Sequence, residues 1–282
     1  MNILITGAGG FIGKSLYNYY KSKHNIYQIF SQNTQLTSTK EKVFSADLVN
    51  DNQVLHLTKA LSKIKKIDVV FHLASKFIST NNPNDIDVLF DNISITKNIA
   101  QLALILKPKH LINFSSMAVY PNSSGTFSEE SPVSTYENFE CIYGLSKICS
   151  ENLFSFLLKE NTKTLHLRLS QVYGSGMRKD RIISMMKQEL ISNNLITVHG
   201  EGERISNFID INKLLSIIDI LLINKIGGIY NIGDKNLSYL ELANKIKHKY
   251  GNKESKIRKL KKGSRSKFRL DTTKLENLIK SL

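Results

Sequence analysis

Near the amino terminus an apolar run, Ile3-Leu4-Ile5, leads directly into Thr6-Gly7-Ala8-Gly9-Gly10-Phe11-Ile12-Gly13, and a helix-period pattern follows. A strand, a glycine turn and a helix in that order leave few folds open. Gly7 can take the positive φ of a tight turn, Gly10 lets backbone approach a ligand with no Cβ in the way, and Gly13 lets the helix lie close on the strand. The helix begins with unpaired N–H groups and the positive end of its dipole, which suits the pyrophosphate of a dinucleotide. Phe11 and Ile12 belong to the same turn and are expected to contact the cofactor with it. The spacing is Gly-x-x-Gly-x-x-Gly, not the commoner Gly-x-Gly-x-x-Gly, and a turn that only permits packing is the plain alternative.

Short apolar runs go on alternating with helix-period stretches. Residues 26–30, 43–44, 69–73, 111–114 and 165–169 read as strands, separated by enough chain for crossover helices. That order predicts an α/β fold with a doubly wound, mostly parallel sheet of Rossmann type and a ligand crevice at the carboxyl ends of its strands. After the second strand, where an acid would grip the adenosine ribose of NAD or an arginine the 2′-phosphate of NADP, stand Ser31, Gln32 and Asn33. Asp47-Leu48 follows the third strand, and Asp47 either accepts from an adenine amino group or caps a helix. The fourth strand ends in His72-Leu73-Ala74-Ser75, whose small residues let backbone pass close to a cofactor. His72, inside an apolar strand, reads as a satisfied core residue. Residues 81–91 read as a loop before a helix that begins near Asn92, which either contacts the cofactor or caps.

The fifth strand closes in Ser115-Ser116-Met117-Ala118-Val119-Tyr120, and the Pro/Ser/Gly-rich connection 121–133 has a length that is usually functional. It leads to a helix bearing Tyr143-Gly144-Leu145-Ser146-Lys147. The i, i+4 spacing puts phenol and ammonium on one helix face, where the cation can lower the phenol's pKa and make Tyr143 a base. Taken alone, such a pair is also what an ordinary amphipathic helix carries. The two cysteines, Cys141 and Cys149, fall in the same helix, too far apart for a disulfide and without metal-ligand spacing, so no metal site is expected.

With 282 residues, 41% of them hydrophobic, the chain can bury one large core or a domain and a smaller lobe. No apolar run approaches a membrane span and the first one lacks a basic flank, so no membrane partner and a cytoplasmic location are expected. The net charge of +15 is concentrated in residues 245–269. That stretch reads as an anion site for a sugar nucleotide's phosphates, as a nucleic-acid or anionic-membrane patch, or as a solvated face. The aromatic interleaving of base-stacking surfaces is missing from it.

The separate signals gain weight from their order. Gly7-x-x-Gly10-x-x-Gly13, Asp47, His72-Leu73-Ala74, Ser115-Ser116 with Val119-Tyr120, and Tyr143-x-x-x-Lys147 occur as in the extended short-chain dehydrogenase/reductases. The chain closely resembles the nucleotide-sugar epimerase/dehydratase branch of that family. Arg168-Leu169-Ser170-Gln171-Val172-Tyr173-Gly174, Gly200-Glu201-Gly202-Glu203-Arg204 with Asn207-Phe208-Ile209, and Asn231-Ile232-Gly233 are similar to later landmarks of the branch.

The resemblance implies a Rossmann domain of residues 1–170, to which 206–232 returns, and a smaller nucleotide-sugar lobe of 171–205 and 233–282. It implies that Tyr143 is the general base, that Lys147 holds the ribose and tunes Tyr143, and that Ser116 hydrogen-bonds the reacting oxygen. Gln171 and Arg204 are then candidates to meet the substrate's diphosphate, although Ser206 stands where the branch often has an arginine. NAD or NADP is the implied cofactor, a nucleotide-diphosphate sugar the substrate, and a homodimer the assembly, with no nucleic-acid partner. Met117-Ala118 occupies the place where the branch's 4,6-dehydratases carry Asp-Glu. An NDP-hexose 4-epimerase is therefore expected, with an NDP-4-ketosugar reductase as the alternative and dehydration disfavoured. A non-catalytic NAD(P)-sensing or nucleic-acid-binding module is the competing class, against which the intact Ser116, Tyr143 and Lys147 argue. Further on, Ser238-x-x-Glu241 is a capping box for a helix running toward Gly251, and residues 271–275 resemble the branch's closing helix.

Overall fold

The computed structural model describes residues 1–31, 42–64, 66–78, 82 and 84–282. The first half runs β1 (Asn2–Thr6), α1 (Phe11–Tyr20), β2 (Asn25–Phe30), β3 (Val43–Ser45), α2 (Asp51–Leu61), β4 (Val69–His72), α3 (Asp87–Leu106), β5 (His110–Ser116), β6 (Gly125–Phe127) and α4 (Cys141–Leu158). The second half runs β7 (Lys163–Leu169), β8 (Gln171–Tyr173), α5 (Ile182–Asn193), β9 (Leu195–Val198), β10 (Ile205–Asp210), α6 (Ile211–Ile223), β11 (Gly228–Ile232), β12 (Lys235–Ser238), α7 (Tyr239–Tyr250), β13 (Lys256–Lys259), β14 (Phe268–Leu270) and α8 (Thr273–Ser281).

Seven strands form one sheet in the order β11-β7-β5-β4-β1-β2-β3, and every pairing in it is parallel. Such a sheet must be covered on both faces, which is why its strands read as continuous apolar runs. Alternation divides them: Ile3 and Ile5 join the core under α1, α6 and α8, while Leu4, Val70 and Leu111 join the core under α2, α3 and α4. Full burial of a side chain such as Ile3 or Phe71 contributes roughly 1.5–3 kcal/mol. The chain order turns back between β1 and β4, and the crevice of a doubly wound sheet opens at that reversal.

The rest of the chain builds a smaller lobe from a three-stranded sheet, β12-β10-β8, and a two-stranded one, β13-β9. Met186 and Leu190 of α5, Val198, Phe208 and Leu242 and Ile246 of α7 fill its core. The capping box is present as expected: Ser238 Oγ accepts from Glu241 N–H at 3.1 Å, and Glu241 Oε2 accepts from Ser238 N–H at 2.7 Å.

The structure adds detail at four segments. The connection 121–133 contains β6, which pairs in parallel with β14 and ties the loop to the far end of the chain. Residues 206–210 stay in the small sheet, and α8 packs back on the large one against β11, so the return to the large sheet is made by α6, β11 and α8. Helix α3 starts at Asp87, not near Asn92, since the acid that reads as loop is favourable in a first helical turn. Asp47 does not cap α2: Asn50 does, accepting from Gln53 N–H at 3.1 Å.

Candidate active site

The glycine turn is shaped by backbone that comes too close for any side chain. Gly7 has φ of 66°, and a Cβ there would lie 2.8 Å from Ala74 N, so the turn after β1 touches the chain leaving β4. A Cβ at Gly13 would lie 2.5 Å from Gly7 O and 2.9 Å from Ala8 Cα; what Gly13 admits is the turn itself. Gly10 is the N-cap of α1 and no side chain caps the helix. The first-turn amides are therefore left without a side-chain cap, as a helix end that takes an anion requires. At the carboxyl end of β7 the hydroxyl of Ser170 is buried with no protein partner. Backbone cradle, uncapped helix and orphaned hydroxyl fit a dinucleotide.

Thr6 stitches this floor together. Its Oγ1 accepts from Leu73 N–H at 3.2 Å and Ala74 N–H at 3.1 Å and lies 3.0 Å from His72 Nδ1. With two amides donating to the oxygen, its own proton goes to Nδ1, so His72 carries its proton on Nε2. Burial, aided by the nearby Lys147 charge, brings His72 down to about 3, and it stays a neutral core residue as expected.

Of the other cofactor candidates, Ser31 follows β2 directly and is exposed, and Gln32 lies outside the described residues. Asp47 Oδ1 accepts from Val49 N–H at 3.0 Å, and the carbonyl of Leu48 accepts from Asn98 Nδ2 at 2.9 Å. Asn92 is not a cap but is buried inside α3. Its Oδ1 accepts from Lys76 N–H at 2.8 Å and Ser75 Oγ at 3.2 Å, and its Nδ2 donates to Lys76 O at 3.0 Å and Ser146 Oγ at 3.2 Å. Asn92 thus fixes the loop after β4 to α3 and α4.

Ser116 ends β5 and caps a 3₁₀ turn, Met117–Val119, with its Oγ accepting from Ala118 N–H at 3.1 Å. Tyr143 and Lys147 lie in the first turns of α4, both buried, with Lys147 Nζ 5.3 Å from the centre of the Tyr143 ring. Between them Gly144 meets the 3₁₀ turn: a Cβ would fall 2.2 Å from Ala118 O. That contact draws the Tyr143 helix onto the turn that carries Ser116.

The electrostatics differ from expectation. The Tyr143 phenol is raised, not lowered, because burial dominates, with the Glu140 carboxylate adding to it and Arg181 and a hydrogen bond from Ser75 opposing. Burial also brings Lys147 down to about 8. In a dry site the helix partner is itself close to losing its charge, so it cannot overturn the desolvation of the phenol.

Gln171 and Arg204 occupy the lobe side. Gln171 Nε2 donates to Ser206 Oγ at 2.9 Å, which joins β8 to β10. The Arg204 guanidinium lies over the Tyr239 ring, 5.4 Å from its centre. Arg178, Arg181 and Arg204 all bear on Glu140, whose carboxyl is nonetheless raised, first of all by burial. Sequence reasoning missed Glu140, Arg181 and Phe77, whose ring stacks on Tyr143 at 4.9 Å. It also left Glu151 unread, one turn beyond Lys147. The carboxylates at three before Tyr143 and four after Lys147 were visible signals; nothing local marked Phe77. Among the described residues of the basic stretch, Arg265 alone meets carboxylates, Glu201 at 3.5 Å and Glu203 at 3.6 Å. No helix of the described residues is long and apolar enough to cross a membrane.

A glycine-floored crevice at the switch point of a parallel sheet, with a tyrosine, a lysine and a serine at its rim, defines a Rossmann-type oxidoreductase scaffold. The chain belongs to the NAD-dependent epimerase/dehydratase family, whose model matches residues 3–233. It is 26% identical over 268 residues to a dTDP-D-glucose 4,6-dehydratase of Dictyostelium discoideum, a match covering 86% of this chain and 61% of that relative's length. It is 27% identical over 228 residues to a dTDP-4-dehydro-6-deoxyglucose reductase of Escherichia coli, covering 76% of this chain and 70% of the relative. Among solved structures it is similar to the UDP-glucuronic acid 4-epimerase of Bacillus cereus in complex with UDP-glucuronic acid and NAD. That likeness has a TM-score of 0.79 and 25% identity, and covers 99% of this chain and 93% of the other.

Proposed function

We propose that the protein is an NAD(P)-dependent oxidoreductase of nucleotide sugars that moves a hydride at a sugar carbinol, acting as an NDP-hexose 4-epimerase. The observation that carries this reading is the contact at Gly144, which gathers Ser116, Tyr143 and Lys147 at the carboxyl end of β5 with no acid at Met117 or Ala118. Proton and hydride transfer are provided for; the acid that a dehydration needs is not supplied at that turn.

Backbone of Gly7, Gly10, Phe11, Ile12 and Gly13 would hold the pyrophosphate, and Ser31 with Gln32 the adenosine ribose. Asp47 and Leu48 would border the adenine, Leu73, Ala74 and Ser75 the floor, and Lys147 the second ribose. The bound nicotinamide supplies a reversible hydride acceptor. Burial holds the Tyr143 phenol protonated, and the positive charge of a bound nicotinamide together with Lys147 would favour the phenolate that accepts the proton of the sugar hydroxyl, while Ser116 would donate a hydrogen bond to the same oxygen. Gln171 and Arg204, with Arg178 and Arg181 beside them, meet the diphosphate.

An NDP-4-ketosugar reductase is the second reading, favoured by the 27% identity to a protein named as such a reductase. Mass spectrometry of cofactor released from the purified protein separates the two. Retained NAD marks an epimerase and an empty site a reductase, while no cofactor binding at all overturns both.

Helices α3 and α4 pack on each other and expose Phe90, Leu145, Phe156 and Leu157, Phe156 to 69%. This apolar surface suits a homodimer, and sedimentation of a Phe156→Glu variant as a dimer would remove that argument. A cytoplasmic location goes with the reading, and fractionation of the source cells tests it.

A further inference from the structure

Tyr143, Lys147 and Glu151 recur at four-residue intervals, so they stand on one face of α4, with neighbouring Cβ atoms about 5–6 Å apart. Glu151 is buried, and its carboxylate oxygens are bonded to residues of β5 and β7. Oε1 accepts from Arg168 Nε at 3.0 Å and from Ser115 Oγ at 2.5 Å, and Oε2 accepts from Arg168 NH2 at 2.8 Å. Arg168 is equally buried and donates its remaining NH1 bond to Tyr120 Oη at 2.9 Å. Tyr120 donates onward to Asn231 Oδ1 at 2.9 Å. A buried ion pair is poor value for stability, since desolvation offsets most of its attraction and an apolar pair of like size does as well. Its place in the fold calls for another account.

We propose that Glu151, locked by Arg168 and Ser115, is a positioning residue that keeps the Lys147 ammonium charged. The inference rests on the reading above that Lys147 serves the cofactor ribose and the Tyr143 phenol. The groups around Lys147 leave this task to Glu151. On its own helix stand Tyr143 and Glu151, on β4 neutral His72, and on β7 Arg168 and His166, which face Glu151. The neighbouring elements bring neutral groups to α4: Asn113 of β5 donates to Ser150 and Ser115 to Glu151, Asn92 of α3 donates to Ser146, and the Met117–Val119 turn carries no charge. Glu151 is thus the one anion that acts on Lys147, opposing the burial that brings the amine down to about 8. Without it the amine turns neutral near physiological pH and loses both its hold on a ribose hydroxyl and its pull on the phenol.

The test is a titration of the Lys147 side chain by NMR in the full-length protein with isotope-labelled lysine, assigned by comparison with Lys147→Arg. No sugar nucleotide or turnover is needed, so a failed search for substrate leaves the result intact. The wild-type midpoint is expected near 8. Glu151→Gln should bring it to about 7 or lower, a roughly fivefold or greater rise in the neutral fraction at pH 7, and Glu151→Asp should restore it. Where Glu151→Gln alone does not fold, the double variant Glu151→Gln/Arg168→Gln exchanges the ion pair for a neutral hydrogen-bonded one and should show the same fall. A wild-type amine already neutral at pH 7, or a midpoint unmoved by removal of the carboxylate, overturns the proposal.

Discussion

A Cβ on Gly144 would stand 2.2 Å from the carbonyl oxygen of Ala118, so α4 rests on the turn after Ser116 with no side chain between them. The obstacle is backbone and cannot swing aside. Gly144→Ala should therefore destabilise the protein by roughly 1–3 kcal/mol in denaturant titrations. It should also lower turnover on the order of a hundredfold by displacing Tyr143 from Ser116. A variant with unchanged stability would mean that the contact is not made.

Tyr143→Phe keeps the ring that stacks on Phe77 and removes the proton acceptor. Turnover should fall by about 10² to 10⁴-fold while NAD affinity, followed by calorimetry, stays nearly constant. An active phenylalanine variant would assign the proton transfer elsewhere.

Two buried histidines make the fold acid-sensitive. Burial holds His72 near 3 and His166 near 4, against 6.5 for an exposed imidazole. As pH falls below 6.5 the unfolded chain takes up a proton on each while the folded chain does not, so stability is present above that value and is lost on acidification. Each histidine contributes about 1.4 kcal/mol per pH unit in this window. His72→Gln should lose about 2 kcal/mol less than wild type between pH 7 and pH 5 in urea unfolding. Parallel curves would show that His72 titrates normally.

Ser31, directly after β2, offers neither carboxylate nor guanidinium to an adenosine ribose. Ser31→Asp should shift preference toward NAD, since a charge-assisted hydrogen bond contributes about 1.5–3 kcal/mol, roughly tenfold or more in the affinity ratio. Calorimetry with both cofactors reads that ratio, and an unmoved one places Ser31 away from the ribose.

Where a feature is carried by neighbours in the chain, it was legible before any coordinates. The turn at Gly7, the parallel strands, the Ser238 capping box and the Tyr143–Lys147 face all depend on spacing within one element. What escaped depends on contacts between distant segments. The pairing of β6 with β14 joins residues 125–127 to 268–270, and a three-residue strand in a polar loop has no pattern to announce it. The phenol's direction of shift was misread because spacing reports that a cation is near and says nothing of how dry the pair is. Gly144 could have been found, since glycine inside a helix costs about 1 kcal/mol against alanine and asks for a reason.

The central claim is reversible hydride transfer at a sugar carbinol by Ser116, Tyr143 and Lys147. It is tested most directly by incubating the NAD-loaded protein with UDP- and dTDP-hexoses deuterated at C4, following label on the nicotinamide by mass spectrometry and the C4 configuration of the sugar by NMR. The account predicts deuterium in the nicotinamide and in a C4-inverted sugar, with transfer at least a hundredfold slower in Tyr143→Phe. A protein that binds both NAD and a nucleotide hexose yet neither inverts C4 nor passes deuterium to the nicotinamide, or a phenylalanine variant that does so as fast, would contradict the account.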